Sequence, residues 1–175
     1  MAIIGKKITG KLVGRRIQAA MHIEGEITPS AMSQGIVAPV NSIHGIVSKA
    51  LAGKFLDDSV MRYGDGAFYL PTISEIQLIL QSSQLDRHKW ISERFDCDDF
   101  SYALKGEMSI HAYETSDISY GLCVGMVWGD FDWVTGYHAV NWFISTDNQL
   151  QFIEPQTDTI YAGSHCIGNI SLFVV

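Results

Sequence analysis

Three short segments of the chain carry residue types suited to nucleophilic chemistry. The first is Phe95-Asp96-Cys97-Asp98-Asp99-Phe100. Asp96 is a good helix N-cap, and Phe100, Ala103 and Leu104 continue as an apolar helical stripe that ends at Gly106, so Cys97 falls at the first helical position. Free backbone N–H groups and the positive end of the helix dipole favour a thiolate there and can receive an oxyanion. The three flanking aspartates act the other way and raise the thiol pKa unless something neutralises them. The second segment, Gly136-Tyr137-His138-Ala139-Val140-Asn141-Trp142, puts a histidine near the start of a strand after a loop. The third, Phe152-Ile153-Glu154-Pro155-Gln156-Thr157-Asp158, ends an apolar strand in a carboxylate, a proline and an amide.

Taken singly, each segment has an ordinary reading: a structural cysteine beside a capping aspartate, a packed histidine, a solvated turn. Together they stand in the order of a papain-like site, with the cysteine at a helix start, the histidine on a strand and the acid at the end of a neighbouring strand. Side chains on adjacent antiparallel strands meet across the ladder, which lets Glu154 orient His138. Asn141 is the rival orienter, but alternation along the strand turns it to the opposite face.

The segments F-D-C-D-D-F, H-A-V-N-W and E-P-Q resemble the agglutinin C-terminal family, represented by the C-terminal domain of the fairy-ring mushroom agglutinin and its bacterial and phage-borne relatives. The resemblance covers about residues 70–158. It implies a papain-like fold and a calcium-dependent cysteine peptidase, with Cys97 as nucleophile, His138 as general base and acid, and Glu154 as the residue that orients His138. It also implies that the aspartates beside Cys97 bind metal. Calcium, with manganese as a substitute, suits carboxylate and amide oxygens. Asp98 and Asp99 are the leading ligand candidates, followed by Asp96, Gln156 and Asp158. Glu154 cannot easily serve metal and His138 together, so metal binding is expected to rearrange the E-P-Q loop and free Glu154. The sugar-binding trefoil of the agglutinin has no counterpart here. Two other classes stay open: a non-catalytic metal-binding or structural module that keeps the fold, and a transglutaminase-like amidase or acyl transferase.

The elements that must position these residues follow from periodicity. Residues 22–41 read as an irregular connector. Ser42 caps a helix through about Leu56, with Ile43, Ile46, Val47, Ala50 and Leu51 as its stripe. Gly64-Asp65-Gly66 signals a turn before a short apolar run, and Thr72 with Glu75 forms a capping box that opens a further helix. A short helix is expected from Asp86 towards Ser92. From Gly121 the period becomes two: strands are expected at 122–128, 138–144, 150–153 and 170–175. Helices first and strands later give an α+β class, a helical front on an antiparallel sheet. Residues 1–70 are expected to be an N-terminal extension packed on the same domain, and 71–175 a papain-like core.

Composition narrows the partners. The chain has 175 residues, 47% of them hydrophobic and 18% charged, so a packed core is expected rather than wholesale disorder. Residues 1–92 carry 10 basic and 7 acidic residues (+3), and residues 93–175 carry 2 and 12 (-10), which sums to the net charge of -7. An acidic second half argues against nucleic acid and leaves carboxylates without internal partners, either as a solvated face or as cation ligands. The expected partner is a protein or peptide substrate. Ile4, Ile8 and Leu12, spaced by four among Lys6, Lys7, Lys11, Arg15 and Arg16, read as a docking arm or first strand in preference to a membrane-surface helix, which Gly5, Gly10 and Gly14 weaken, and as a candidate homodimer contact. With no signal peptide and no membrane span in the sequence, the default expectation is a cytoplasmic chain. Three cysteines do not make a disulfide scaffold, and Ser164-His165-Cys166 lacks the paired spacing of a zinc site. Trp128, Trp133 and Trp142 are expected in the core or in cleft walls.

Overall fold

A computed structural model describes residues 34–175. The docking-arm reading of the first sixteen residues lies outside them. Three helices, α1 (Val40–Ala50), α2 (Ile73–Ser82) and α3 (Cys97–Glu114), and eight strands make up the described chain. Strands β1 (Ile36–Pro39) and β3 (Ala67–Leu70) form an antiparallel pair. The others are β2 (Phe55–Arg62), β4 (Val124–Phe131), β5 (His138–Ile144), β6 (Leu150–Glu154), β7 (Thr159–Ala162) and β8 (Cys166–Val174), and they build one sheet in the order β2-β8-β4-β5-β6-β7. Every pairing in that sheet is antiparallel except β2 with β8, which is parallel.

Each face of the sheet has its own core. On one face, Ile43 and Val47 of α1 and Leu51 just past its end pack with Val127, Val140, Trp142, Phe152 and Phe173. On the other, Ile76, Ile79 and Leu80 of α2 and Phe100, Leu104 and Met108 of α3 pack with Val124, Phe143 and Ile153. Alternation produces this split: odd residues of β5 and β6 face α3 and even ones face α1. Trp142 shows how tight the packing is. Its indole donates to the Met126 and Val174 carbonyls at 3.2 and 3.0 Å. It lies where a Cβ on Gly125 would have to be, so only glycine fits at that point of β4.

The α2 capping box forms as its sequence predicts: Glu75 N–H donates to Thr72 Oγ1 at 3.1 Å and Thr72 N–H donates to Glu75 Oε2 at 2.6 Å. Glu75 is fully buried and also accepts from the Tyr69 hydroxyl at 2.5 Å; burial first, and then this bond, push the Tyr69 pKa up to about 12.

Several boundaries differ from the periodicity. Residues 22–41 are not all irregular, since β1 starts at Ile36. The first helix stops at Ala50 rather than near Leu56, and Phe55 already opens β2, whose Asp57 and Asp58 hide its strand pattern. Asp86–Ser92 forms no α-helix; a single 3₁₀ turn spans Leu85–Arg87. Helix α3 runs through Gly106 to Glu114, because the 100-104-108 stripe keeps it docked past an exposed glycine. Strand β7 was not anticipated. None of the described helices is long and apolar enough to cross a membrane.

Candidate active site

Cys97 is the first residue of α3, with Asp96 as N-cap. The cap is built from carboxylates: Asp99 Oδ2 accepts from the Asp96 N–H at 3.2 Å, and Asp96 Oδ2 accepts from the Glu93 N–H at 3.0 Å. The Ser101 hydroxyl donates to the Cys97 carbonyl at 2.9 Å, and Ser101 in turn offers its own carbonyl to Asn141 Nδ2 at 3.0 Å. These bonds pin the first turn of α3 to β5. Asn141 also donates to the Gly125 carbonyl at 3.2 Å, so it faces α3 and is spent on the helix–sheet junction rather than on His138.

His138 is the first residue of β5 and is buried. Its Nε2 lies 2.7 Å from Glu154 Oε2. Glu154 is the last residue of β6, also buried, and even-numbered like His138, so both leave the sheet on the same side. The Glu154 carboxylate is held from several directions. Trp133 Nε1 donates to Oε2 at 3.4 Å, and the backbone and side-chain N–H groups of Gln156 donate to Oε1 at 3.3 and 3.4 Å. Trp133 is itself stacked on Tyr161, with ring centroids 4.0 Å apart. With Nε2 committed to Glu154, Nδ1 is the imidazole nitrogen left to exchange a proton with a nucleophile.

The thiol meets the sheet at Ala139, next in sequence to His138, whose N–H is directed at the Cys97 sulfur and favours a thiolate. Burial outweighs this, and the Asp96 and Asp98 charges add to it, so the Cys97 thiol is pushed above its ordinary value. The carboxylates of the two aspartates lie close to each other. Their interaction chiefly raises Asp98 and lowers Asp96, as expected of neighbouring carboxylates that titrate as a pair. One donor atom each from Asp96, Cys97 and Asp98 lies within 4.8 Å of the others.

The sequence-predicted site residues thus fall into separate groups. Cys97, Asp96 and Asp98 stand together, and His138 joins Glu154. Asp99 closes the helix cap, and Gln156 holds Glu154. Asp158, in the left-handed region at φ 55, is pushed up to about 6 by burial and by the charges of Asp86 and Glu107. Its Oδ1 is buried without a hydrogen-bond partner. Glu154 already sits on His138, so in this conformation no rearrangement of the E-P-Q loop is needed to orient the imidazole. Sequence reading missed the parts played by Trp133 and by the Ala139 amide. Cross-strand position could have pointed to the amide, but nothing in the sequence pointed to the indole.

A family model described as "Agglutinin C-terminal" matches residues 68–160, more than half of the chain. No curated protein sequence matches. Among solved structures, PSL1a in complex with E64 is 26% identical, with a TM-score of 0.69 over 79% of this chain and 50% of that one. A Polyporus squamosus lectin bound to the human-type influenza-binding epitope Neu5Acα2-6Galβ1-4GlcNAc is 28% identical, with a TM-score of 0.63 over 78% of this chain and 49% of that one. The chain therefore spans about half the length of these solved chains. Its α+β architecture, with helices on a mostly antiparallel sheet, matches the papain-like domain of PSL1a.

Proposed function

The chain belongs to the agglutinin C-terminal family, and from that premise we propose that it is a calcium-dependent papain-like cysteine peptidase acting through Cys97, His138 and Glu154. One observation carries the reading: a buried histidine, held at 2.7 Å by a buried carboxylate, starts the strand whose next amide faces the thiol at a helix N-terminus. Similarity to a protein complexed with the protease inhibitor E64 supports it.

In the proposed reaction the Cys97 proton passes to His138, and Sγ attacks the scissile carbonyl carbon. The Cys97 backbone N–H, unused at the helix start, helps to hold the oxyanion. The C–N bond then breaks as His138 returns its proton to the leaving amine, which leaves a thioester on Cys97. Water, deprotonated by His138, cleaves the thioester and restores the thiol. Glu154 touches no reacting atom. It fixes the tautomer and orientation of His138 and stabilises the imidazolium, and Gln156 and Trp133 hold Glu154 in place.

Asp96 and Asp98 are the residues that fit a hard dication: two carboxylates with oxygens within 4.8 Å of each other, beside the thiol that they disfavour. A bound calcium ion would neutralise that charge and make the thiol easier to ionise. Asp99 and Gln156 are engaged elsewhere in this conformation, and Asp158 faces Asp86 and Glu107, so these three are secondary candidates. The raised thiol favours one second reading, a non-catalytic module that keeps the fold. Incubation with E64 and calcium, followed by intact-mass analysis, separates the two. A covalent adduct on Cys97 is expected; an unmodified Cys97 would leave the module reading.

A further inference from the structure

The half of α3 remote from Cys97 bears an open groove against the end of α2. Ile79 and Ser83 form one side of it, and Glu107, Ile110, His111 and Glu114 form the other. The four α3 residues follow the i, i+3, i+4, i+7 spacing of one helix face. Ile79 belongs to the core behind the groove, whereas Ile110 belongs to neither core and stands 58% exposed between the two glutamates. At about 180 Å³ the groove is smaller than the roughly 300–1,000 Å³ of small-molecule sites, a size suited to side chains inserted from a polypeptide. Its rim is acidic and uncompensated. No Lys or Arg lines it, and among the described residues none is ion-paired to Glu107 or Glu114. Burial pushes the His111 imidazole down, against the pull of Glu114 and Glu75, so it adds little positive charge at neutral pH. Glu107 and Asp86 both act on Asp158, so the negative field extends past the groove.

The chain itself carries a complementary segment. Residues 1–33, which lie outside the described residues, hold 5 basic and 2 acidic residues, and residues 34–175 hold 7 and 17. All five of the former, Lys6, Lys7, Lys11, Arg15 and Arg16, fall within the first sixteen residues, interleaved with Ile4, Ile8 and Leu12. A spacing of four puts those three apolar side chains on one face of a helix and, being even, on one face of a strand as well. The first described residues stand near the groove. The Gly35 N–H donates to the Tyr69 hydroxyl at 2.7 Å, Tyr69 donates to Glu75 of α2 at 2.5 Å, and Glu75 is near enough to act on His111. Ser82 follows Glu75 by seven residues of α2, roughly 10 Å at the helical rise. The 17 residues from 17 to 33 can span up to roughly 60 Å, so reach does not prevent contact.

We propose that residues 3–16 dock in the α2–α3 groove of their own chain, with the apolar face of Ile4, Ile8 and Leu12 against Ile79 and Ile110 and the basic side chains on Glu107 and Glu114. Because the segment is tethered, it meets the groove at an effective concentration on the order of millimolar and needs little intrinsic affinity. The inference is independent of the peptidase reading.

The test is zero-length carbodiimide cross-linking of the full chain, which joins a lysine amine to a carboxylate in contact with it. An equal mixture of unlabelled and heavy-isotope-labelled protein is used, and the cross-linked peptides are mapped by mass. Lys6, Lys7 or Lys11 is expected to be joined to Glu107 or Glu114, with both peptides of each product carrying the same label. Ile110→Ser takes an aliphatic contact from the groove and Ile8→Asp takes one from the segment, so each should lower these products about tenfold while the melting temperature stays near that of the parent. Sodium chloride at about 1 M, which screens charges beyond about 3 Å, should lower them too. Ile167→Ser, at a 63% exposed position on β8, should leave them unchanged. Absence of these products, their spread over the acidic surface without preference for Glu107 and Glu114, or their survival in both Ile110→Ser and Ile8→Asp would each overturn the proposal. Groove products of mixed label would overturn it as well, because the occupant would then be a second copy.

Discussion

His138–Glu154 and His165–Asp132 are the two histidine–carboxylate pairs among the described residues, and their lengths, 2.7 and 2.9 Å, are nearly the same. Their surroundings differ. The side chains of the first pair are 10% and 8% exposed, those of the second 42% and 47%. The histidine of the first is followed by Ala139, whose N–H is directed at the Cys97 thiol, and its carboxylate has two further donor residues. The second lies on the surface, with its imidazole edge-on to Trp133 and Tyr161. Contact distance alone does not mark a functional pair; burial, saturation of the carboxylate and a neighbouring nucleophile do.

The largest effects expected from that contrast fall at the buried pair and its thiol. Cys97→Ala should reduce peptide hydrolysis to background while circular dichroism and melting temperature stay near those of the parent. Retained turnover would remove the buried pair's claim to chemistry. Glu154→Gln keeps the size and loses the charge, so turnover should fall by about 10²–10⁴, as when a triad acid is neutralised. A loss of less than about threefold would put Glu154 on a level with Asp132 and erase the distinction.

Next in size is the effect of the aspartates, and its sign depends on the cation. The Cys97 thiol is raised first by burial and then by Asp96 and Asp98, so its thiolate fraction at neutral pH is low and its alkylation rate should climb with pH. Asp98→Asn removes one of the anions that raise it. Without calcium, that variant should react faster than the parent at pH 7, and its pH profile should move to lower pH. With calcium the order should reverse, because the parent gains neutralisation that the variant cannot hold. The measurement is the pH dependence of iodoacetamide labelling of Cys97 with and without chelator. If the order of the two proteins is the same in both conditions, no cation acts at Asp98.

Gln156→Ala should have a smaller effect. It removes a side-chain donor at 3.4 Å but leaves the Gln156 backbone N–H on the same oxygen. A loss in kcat of a few-fold is expected, with KM unchanged, because Gln156 acts through Glu154 rather than on substrate.

The buried pair was legible in the sequence for a physical reason. His138 and Glu154 sit at strand ends in regions of clean period-two alternation, where parity fixes the face and neighbouring strands fix the meeting point. The Thr72–Glu75 box was legible because it is a local contact. What sequence missed is non-local or unpatterned. Strand β2 carries Asp57 and Asp58 on an edge and pairs in parallel with the last strand, so neither alternation nor chain proximity announces it. Trp133 reaches Glu154 from a loop, where no period applies. The division of labour among Asp96, Asp98 and Asp99 depends on cap geometry that three identical residues in a row conceal.

The smallest effect belongs to the surface pair. Asp132→Asn keeps the shape and removes the charge opposite His165. An exposed pair of this kind is worth about 0–1 kcal/mol and is screened by salt, so the melting temperature should move by little and the shift should shrink further at high ionic strength. The variant still probes the site, because Asp132 precedes Trp133, and Trp133 donates to Glu154 while packing edge-on against His165. If burial is what separates the two pairs, Trp133 is held by its stack on Tyr161 and by Phe131 and Phe152, and loosening the surface pair leaves kcat within about twofold of the parent. If turnover instead falls as far as in Glu154→Gln, with the melting temperature unchanged, the surface pair is acting through the Trp133 indole on the Glu154 carboxylate. The two pairs would then form one connected network, and their difference in exposure would carry no functional weight.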